Sequence, residues 1–167
     1  MGVMGWVKCY YLDASALVKL VVDEPDGKPI RAFVQASTNL HATDLCVGEA
    51  LGVLKGKWQR GAITDEQYFS ATRRLIIDAW GGRIGLDSVK LFDPTMHAQV
   101  EAMAKKHSID LSDALQLVTI LKGRYSVLGP NSSSVLITAD AGLAKAALAE
   151  NIRAWNCIAE PEPAWLA

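Results

Sequence analysis

Four acidic residues stand where surface charge alone explains them poorly. Asp13 follows the strand-forming run Lys-Cys-Tyr-Tyr-Leu at 8–12 and precedes a stretch with helical spacing. Asp140 occupies the same strand-then-helix position after Val-Leu-Ile-Thr-Ala at 135–139. Each could be a helix N-cap, yet the carboxyl ends of strands are also where open α/β sheets bind ligands. Glu49 lies three and four residues from Leu45, Cys46, Gly52 and Val53. That spacing predicts a place on the apolar stripe of its helix, where an ionised Glu is costly unless paired. Asp113 shares a face with Ile109, Gln116 and Leu117. A helix dipole favours an acid in the first turn, but does not explain one turned towards the core.

Four converging carboxylates would repel one another unless they hold divalent cations. All-oxygen ligands suit Mg²⁺ or Mn²⁺. Such ions lower the pKa of water and stabilise the attacking and leaving oxygens of phosphodiester cleavage, in two-ion sites at roughly 3.5–4 Å separation. His41, His97 and His107 lack the spacing of zinc ligands. Cys9, Cys46 and Cys157 are far apart and odd in number, which fits a reducing cytoplasm better than a disulfide framework.

The elements that position these residues alternate. Strands are predicted at 8–12, around 40–43, at 88–92, at 135–138 and at 152–155. Helices are predicted at 14–22, at 28–37, from a Thr43 or Asp44 cap to about Trp58, and from the capping box Thr64-Asp-Glu-Gln67 to about Trp80. Further helices run from Asp93-Pro94 to about His107, from Asp110 or Ser108 through Leu121, and from Asp140 to about Asn151. Alternation of this kind implies an α/β fold: a three-layer α/β/α sandwich around a mostly parallel sheet. A length of 167 residues suits a single domain. Its core is expected over about 8–156, with a loosely ordered tail at 157–167 around Glu160-Pro-Glu-Pro163. A net charge of −1 argues against a strongly basic nucleic-acid coat. Neither a signal peptide nor a membrane-spanning run is visible.

Three further features await a structural reading. Gly48, Gly52 and Gly56 recur every fourth residue. Each costs about 1 kcal/mol inside a helix, which suggests close backbone packing, within the subunit in preference to a dimer contact. Lys55, Lys57, Arg60, Arg73 and Arg74 could rim a nucleic-acid site or form an ordinary solvated face. The stretch 124–133 could be a substrate loop or a neutral insertion.

Together the segments Tyr-Leu-Asp13-Ala-Ser15-Ala-Leu, Gly-Glu49-Ala-Leu, Leu-Ser-Asp113-Ala-Leu-Gln-Leu and Leu-Ile-Thr138-Ala-Asp140-Ala-Gly-Leu resemble the PIN-domain nucleases, most closely VapC-type toxins. They run in order from about residue 10 to 155. The resemblance implies a PIN-like fold and an endoribonuclease dependent on Mg²⁺ or Mn²⁺. It also implies an acidic site of Asp13, Glu49, Asp113 and Asp140, supported by Ser15 and Thr138. Its further implications are a homodimer, an RNA substrate and a cognate antitoxin that inserts a basic side chain into the acidic pocket. The loop at 124–133 is longer than the usual connection. Two alternatives stand beside this. One is a PIN-like module that binds RNA or protein without cutting. The other is a phosphotransfer enzyme with an aspartyl nucleophile, which usually needs a second Asp where Ser15 stands.

Overall fold

The computed structural model describes residues 7–90, 93–128 and 132–166. Its elements are β1 (Lys8–Leu12), α1 (Ala14–Val21), α2 (Lys28–Ala36), β2 (Leu40–Thr43), α3 (Asp44–Gln59), α4 (Asp65–Trp80) and β3 (Ile84–Asp87). There follow α5 (Pro94–His107), α6 (Leu111–Lys122), β4 (Ser133–Thr138), α7 (Ala141–Ala149) and β5 (Arg153–Asn156). All strand pairs are parallel, in the order β3-β2-β1-β4-β5. The chain starts in the middle of the sheet and winds outward twice, so the winding reverses between β1 and β4.

Strand residues alternate between two cores, as the pleat requires. Leu12, Val135, Ile137 and Trp155 face the side covered by α1–α4, with Leu17, Ile30 and Leu54. Cys9, Tyr11 and Leu136 face the other side, with Leu117 of α6 and Leu143 of α7. Burial on both faces explains the near-continuous apolar strands and the three layers. Local chemistry sets the helix starts. The Thr43 hydroxyl caps α3 through the Cys46 N–H, and the predicted capping box of Thr64 and Gln67 forms in both directions. Of the two candidates before α6, Asp110 is the N-cap. Ser108 instead ends α5 in a left-handed conformation, φ 55°.

Two expectations are corrected. The third strand lies at Ile84–Asp87, four residues ahead of the predicted 88–92. The Ser88 hydroxyl and the Val89 N–H donate instead to the Asp44 carboxylate, at 2.8 and 3.1 Å. That leaves the segment's polar groups satisfied outside the ladder; Leu91 and Phe92 lie outside the described residues. The segment after β5 is packed, not loose. Cys157 is fully buried and Leu166 is 1% exposed. The Lys8 ammonium donates to the Trp165 and Leu166 carbonyls, and the Tyr10 hydroxyl to that of Leu166. No described helix is long and apolar enough to cross a membrane.

Candidate active site

Asp13 and Asp140 sit beyond the carboxyl ends of β1 and β4, the two strands that flank the winding reversal. Both cap helices, so the structural and the functional readings coincide in them. Asp13 accepts from the Ala16 N–H at 2.8 Å, and Asp140 accepts from the Leu143 N–H at 2.8 Å. Asp13 is 4% exposed. The Ser15 hydroxyl donates to it at 2.8 Å and the Thr138 hydroxyl at 2.7 Å. Each hydroxyl also accepts a backbone N–H: Ala139 to Ser15 at 2.7 Å, and Asp140 to Thr138 at 2.8 Å. Two hydroxyl groups thus tie the end of β1 to the end of β4 and aim one carboxylate (Asp13). Burial raises the Asp13 pKa and the nearby Asp140 charge adds to this; the three hydrogen bonds oppose it.

Glu49 of α3 and Asp113 of α6 complete the group. All four residues line one cleft of about 670 Å³, together with Ser15. Asp113 is half-buried, and no described residue donates a hydrogen bond to its carboxyl. Burial, then the charges of Asp110, Asp140, Asp13 and Glu49, push its pKa up to about 7. The placement of Glu49 differs from the sequence expectation. The core stripe of α3 is Cys46, Ala50 and Leu54. Glu49 lies half-buried beside it, and its neighbours Gly52 and Val53 are exposed on the cleft wall. Its apolar company marks an open cleft, not a core.

The glycines follow the same logic. A Cβ at Gly48 or Gly52 would meet nothing within 4 Å, so neither is needed for close packing within the subunit. Of the five predicted rim cations only Lys57 and Arg60 line the cleft; Lys19, which was not predicted, joins them. The loop after α6 stands at the start of β4, opposite the end that carries Asp140. Its Tyr125 packs on His41, ring centroids 4.4 Å apart. The described part of the 124–133 stretch is therefore no substrate loop for this cleft.

Sequence reasoning overlooked two acids. Asp110, read only as a cap, also lines the cleft; its spacing of three from Asp113 was the available signal. Asp87 ends β3 at 8% exposure and accepts the Tyr11 hydroxyl at 2.8 Å, away from the cleft.

No three described Asp, Glu, His or Cys side chains form a ready-made metal cage. Mg²⁺ does not require one, because it keeps several waters and binds through one or two carboxylates. The donors here are all oxygen. His97 lines a separate apolar pocket, and burial raises the Cys46 and Cys157 thiols to about 12, which makes thiolates scarce. The residues fit a hard, hydrated cation.

No protein-family model matches the sequence, and no curated protein matches it. Solved structures do match. PAE2754 from Pyrobaculum aerophilum aligns at 21% identity with a TM-score of 0.56, covering 86% of this chain and 83% of that one. VapC20 of Mycobacterium tuberculosis, a sarcin–ricin loop cleaving toxin, aligns at 12% identity with a TM-score of 0.59, covering 82% and 94%. FitAB bound to a DNA fragment aligns at 16% identity with a TM-score of 0.59, covering 92% and 98%. The chain shares the fold of these proteins, the three-layer PIN-like α/β/α fold expected from its sequence. In this PIN fold the carboxylate cleft lies beside the reversal point of the sheet, where open α/β sheets bind their ligands.

Proposed function

We propose that this protein is a metal-dependent endoribonuclease and the toxin of a VapBC-type toxin–antitoxin pair. One observation carries the reading: Asp13, Glu49, Asp113 and Asp140, drawn from four separate elements, line a single solvent-open cleft. Burial first, and then the like charges gathered beside it, raise the Asp113 pKa, so ionising all four carboxylates together without a cation is costly. A cation-binding role accounts for that arrangement; a purely structural one does not. The assignment of RNA rests on the motif resemblance and on the likeness of the fold to a sarcin–ricin loop cleaving toxin.

The four carboxylates would hold Mg²⁺ or Mn²⁺. When bound, such an ion supplies electrostatic stabilisation of the charge that develops on the phosphoryl group. The protein's own groups do the rest. Asp13 is fixed by Ser15, Thr138 and the Ala16 N–H, so its free lone pairs keep a constant direction. The Asp140 carboxylate is aimed by the first turn of α7. Burial and the neighbouring carboxylates push the Asp113 pKa up to about 7 in the metal-free chain, which marks Asp113 as a group whose ionised form a bound cation would favour. Ser15 occupies the place where an aspartyl phosphotransferase would need a second acid, and its hydroxyl is committed to Asp13.

The same reading includes a cytoplasmic homodimer and an antitoxin that neutralises the acidic cleft with a basic side chain. The test is cleavage of total RNA with added Mn²⁺. Wild type should cut, and Asp13→Asn should lose at least about a hundredfold in rate with an unchanged circular dichroism spectrum. Full activity in Asp13→Asn would remove the site assignment.

A further inference from the structure

Lys19, Lys57 and Arg60 line the same cleft as the carboxylates, and along α3 Lys57 and Arg60 lie about two to three turns beyond Glu49. Two of these cations are already committed. Lys19 and Lys57 each approach Glu24 to 2.5 Å, and Lys19 also pairs with Asp26 at 2.7 Å. Two ammonium groups against two carboxylates leave no net charge there. Arg60 is different. It is exposed, and among the described residues it has no acidic partner.

Its guanidinium folds back along α3. A Cβ at position 56 would stand 3.1 Å from Arg60 Nη1 and 3.7 Å from Cζ and Nη2. Gly56 therefore leaves the space in which the guanidinium lies. Gly52, a turn earlier, adds no side chain to the wall. Glu49, Gly52, Gly56 and Arg60 follow one face of the helix at steps of three or four. From Glu49 to Arg60 the helix rises about 16 Å. The result is a smooth strip of helix, acidic at one end and cationic at the other, with both ends in the same cleft.

We infer that Arg60 grips a backbone phosphate of the bound polynucleotide a few nucleotides from the phosphate held at the carboxylates, so that α3 acts as a rail for the strand. This rests on the ribonuclease reading above. Arg60 touches the strand away from the reacting atoms and is a positioning residue. The bland account is a cation at a helix C-terminus, favoured by the dipole. That account predicts a change in stability and none in RNA affinity.

The two are separated by fluorescence anisotropy of labelled twelve-nucleotide and two-nucleotide single-stranded RNA, in an Asp113→Asn background that slows cleavage. Arg60→Ala should weaken binding of the longer RNA about tenfold and flatten the plot of log affinity against log salt by about 0.7. Arg60→Lys should restore the salt slope and part of the affinity. The dinucleotide should bind Arg60→Ala and its parent equally, and Arg73→Ala, on α4 and outside the cleft lining, should change nothing. If Arg60→Ala binds the longer RNA within twofold of its parent at unchanged salt slope, the rail is wrong and the nuclease reading stands. If the parent binds no RNA and wild type cuts none, both fall.

Discussion

Asp113→Asn should make the metal-free protein more stable while abolishing cleavage. The Asp113 carboxyl sits near a pKa of 7 in the fold against an ordinary 3.8. Three units at about 1.4 kcal/mol each set a ceiling of about 4 kcal/mol. The group is only partly buried in a cleft open to water, so solvent screening reduces this to about 1–2 kcal/mol. The sign follows from the proton balance. Below pH 4 the carboxyl is protonated in both states, and variant and wild type match. Between pH 4 and 7 the unfolded chain gives up the proton while the fold retains it, so wild type loses stability as pH rises. Above pH 7 the fold carries the charge and the loss is complete. The variant escapes all of this. Chemical denaturation in EDTA should therefore show no difference at pH 4 and a gain of about 1–2 kcal/mol at pH 8, equivalent to roughly 3–6 °C in Tm for a chain of this size. Saturating Mn²⁺ should narrow the gap by stabilising wild type more than the variant. A variant no more stable than wild type at pH 8, or one equally stabilised at pH 4, would refute the argument that burial and the neighbouring carboxylates disfavour the ionised Asp113.

Three other substitutions test the supporting framework. Ser15→Ala removes the hydroxyl that serves both Asp13 and the Ala139 N–H; it should cost about 1–3 kcal/mol and lower Mn²⁺ affinity or cleavage about 10–100-fold, read by metal titration. Tyr11→Phe strips a buried hydrogen bond from Asp87 and should cost about 1–3 kcal/mol in urea denaturation with cleavage unchanged, because Asp87 lies away from the cleft. Leu166→Ala should cost about 2 kcal/mol by thermal denaturation, since Leu166 is 1% exposed; a loose tail would show no effect.

The alternation of strands and helices could be read from the chain because apolar period, caps and turn residues agree. Thr43, Thr64, Asp110 and Asp140 each announce a helix and each caps one. The third strand was misplaced because Val89, Leu91 and Phe92 look like strand formers, and no local pattern shows that Asp44 will take the Ser88 and Val89 donors. The tail misled for a related reason: a Glu-Pro-Glu-Pro composition reads as disorder, while its docking depends on Leu166 and on carbonyls met by Lys8 from the opposite end of the chain. At the site, Asp13 and Asp140 were visible as strand-end acids. Glu49 was found through an argument that needs amendment, because an apolar neighbourhood along a helix does not distinguish a core from the wall of a cleft. Asp110 was hidden by its own usefulness as a cap.

The pairing of β1 with β4 has a consequence for when the protein becomes whole. Thr138 reaches Asp13 across 125 positions of chain, and Leu12 finds its partner only at Ile137. At about 5–20 residues per second, a ribosome needs roughly 6–25 s to travel from the first of these residues to the last. Until then Asp13 has Ser15 and its strand has β2, but β4 and the Thr138 hydroxyl are missing, and the acidic centre is incomplete. A nascent chain that has not yet reached β4 is thus without the complete acidic centre, which assembles only once Thr138 and Asp140 have been made.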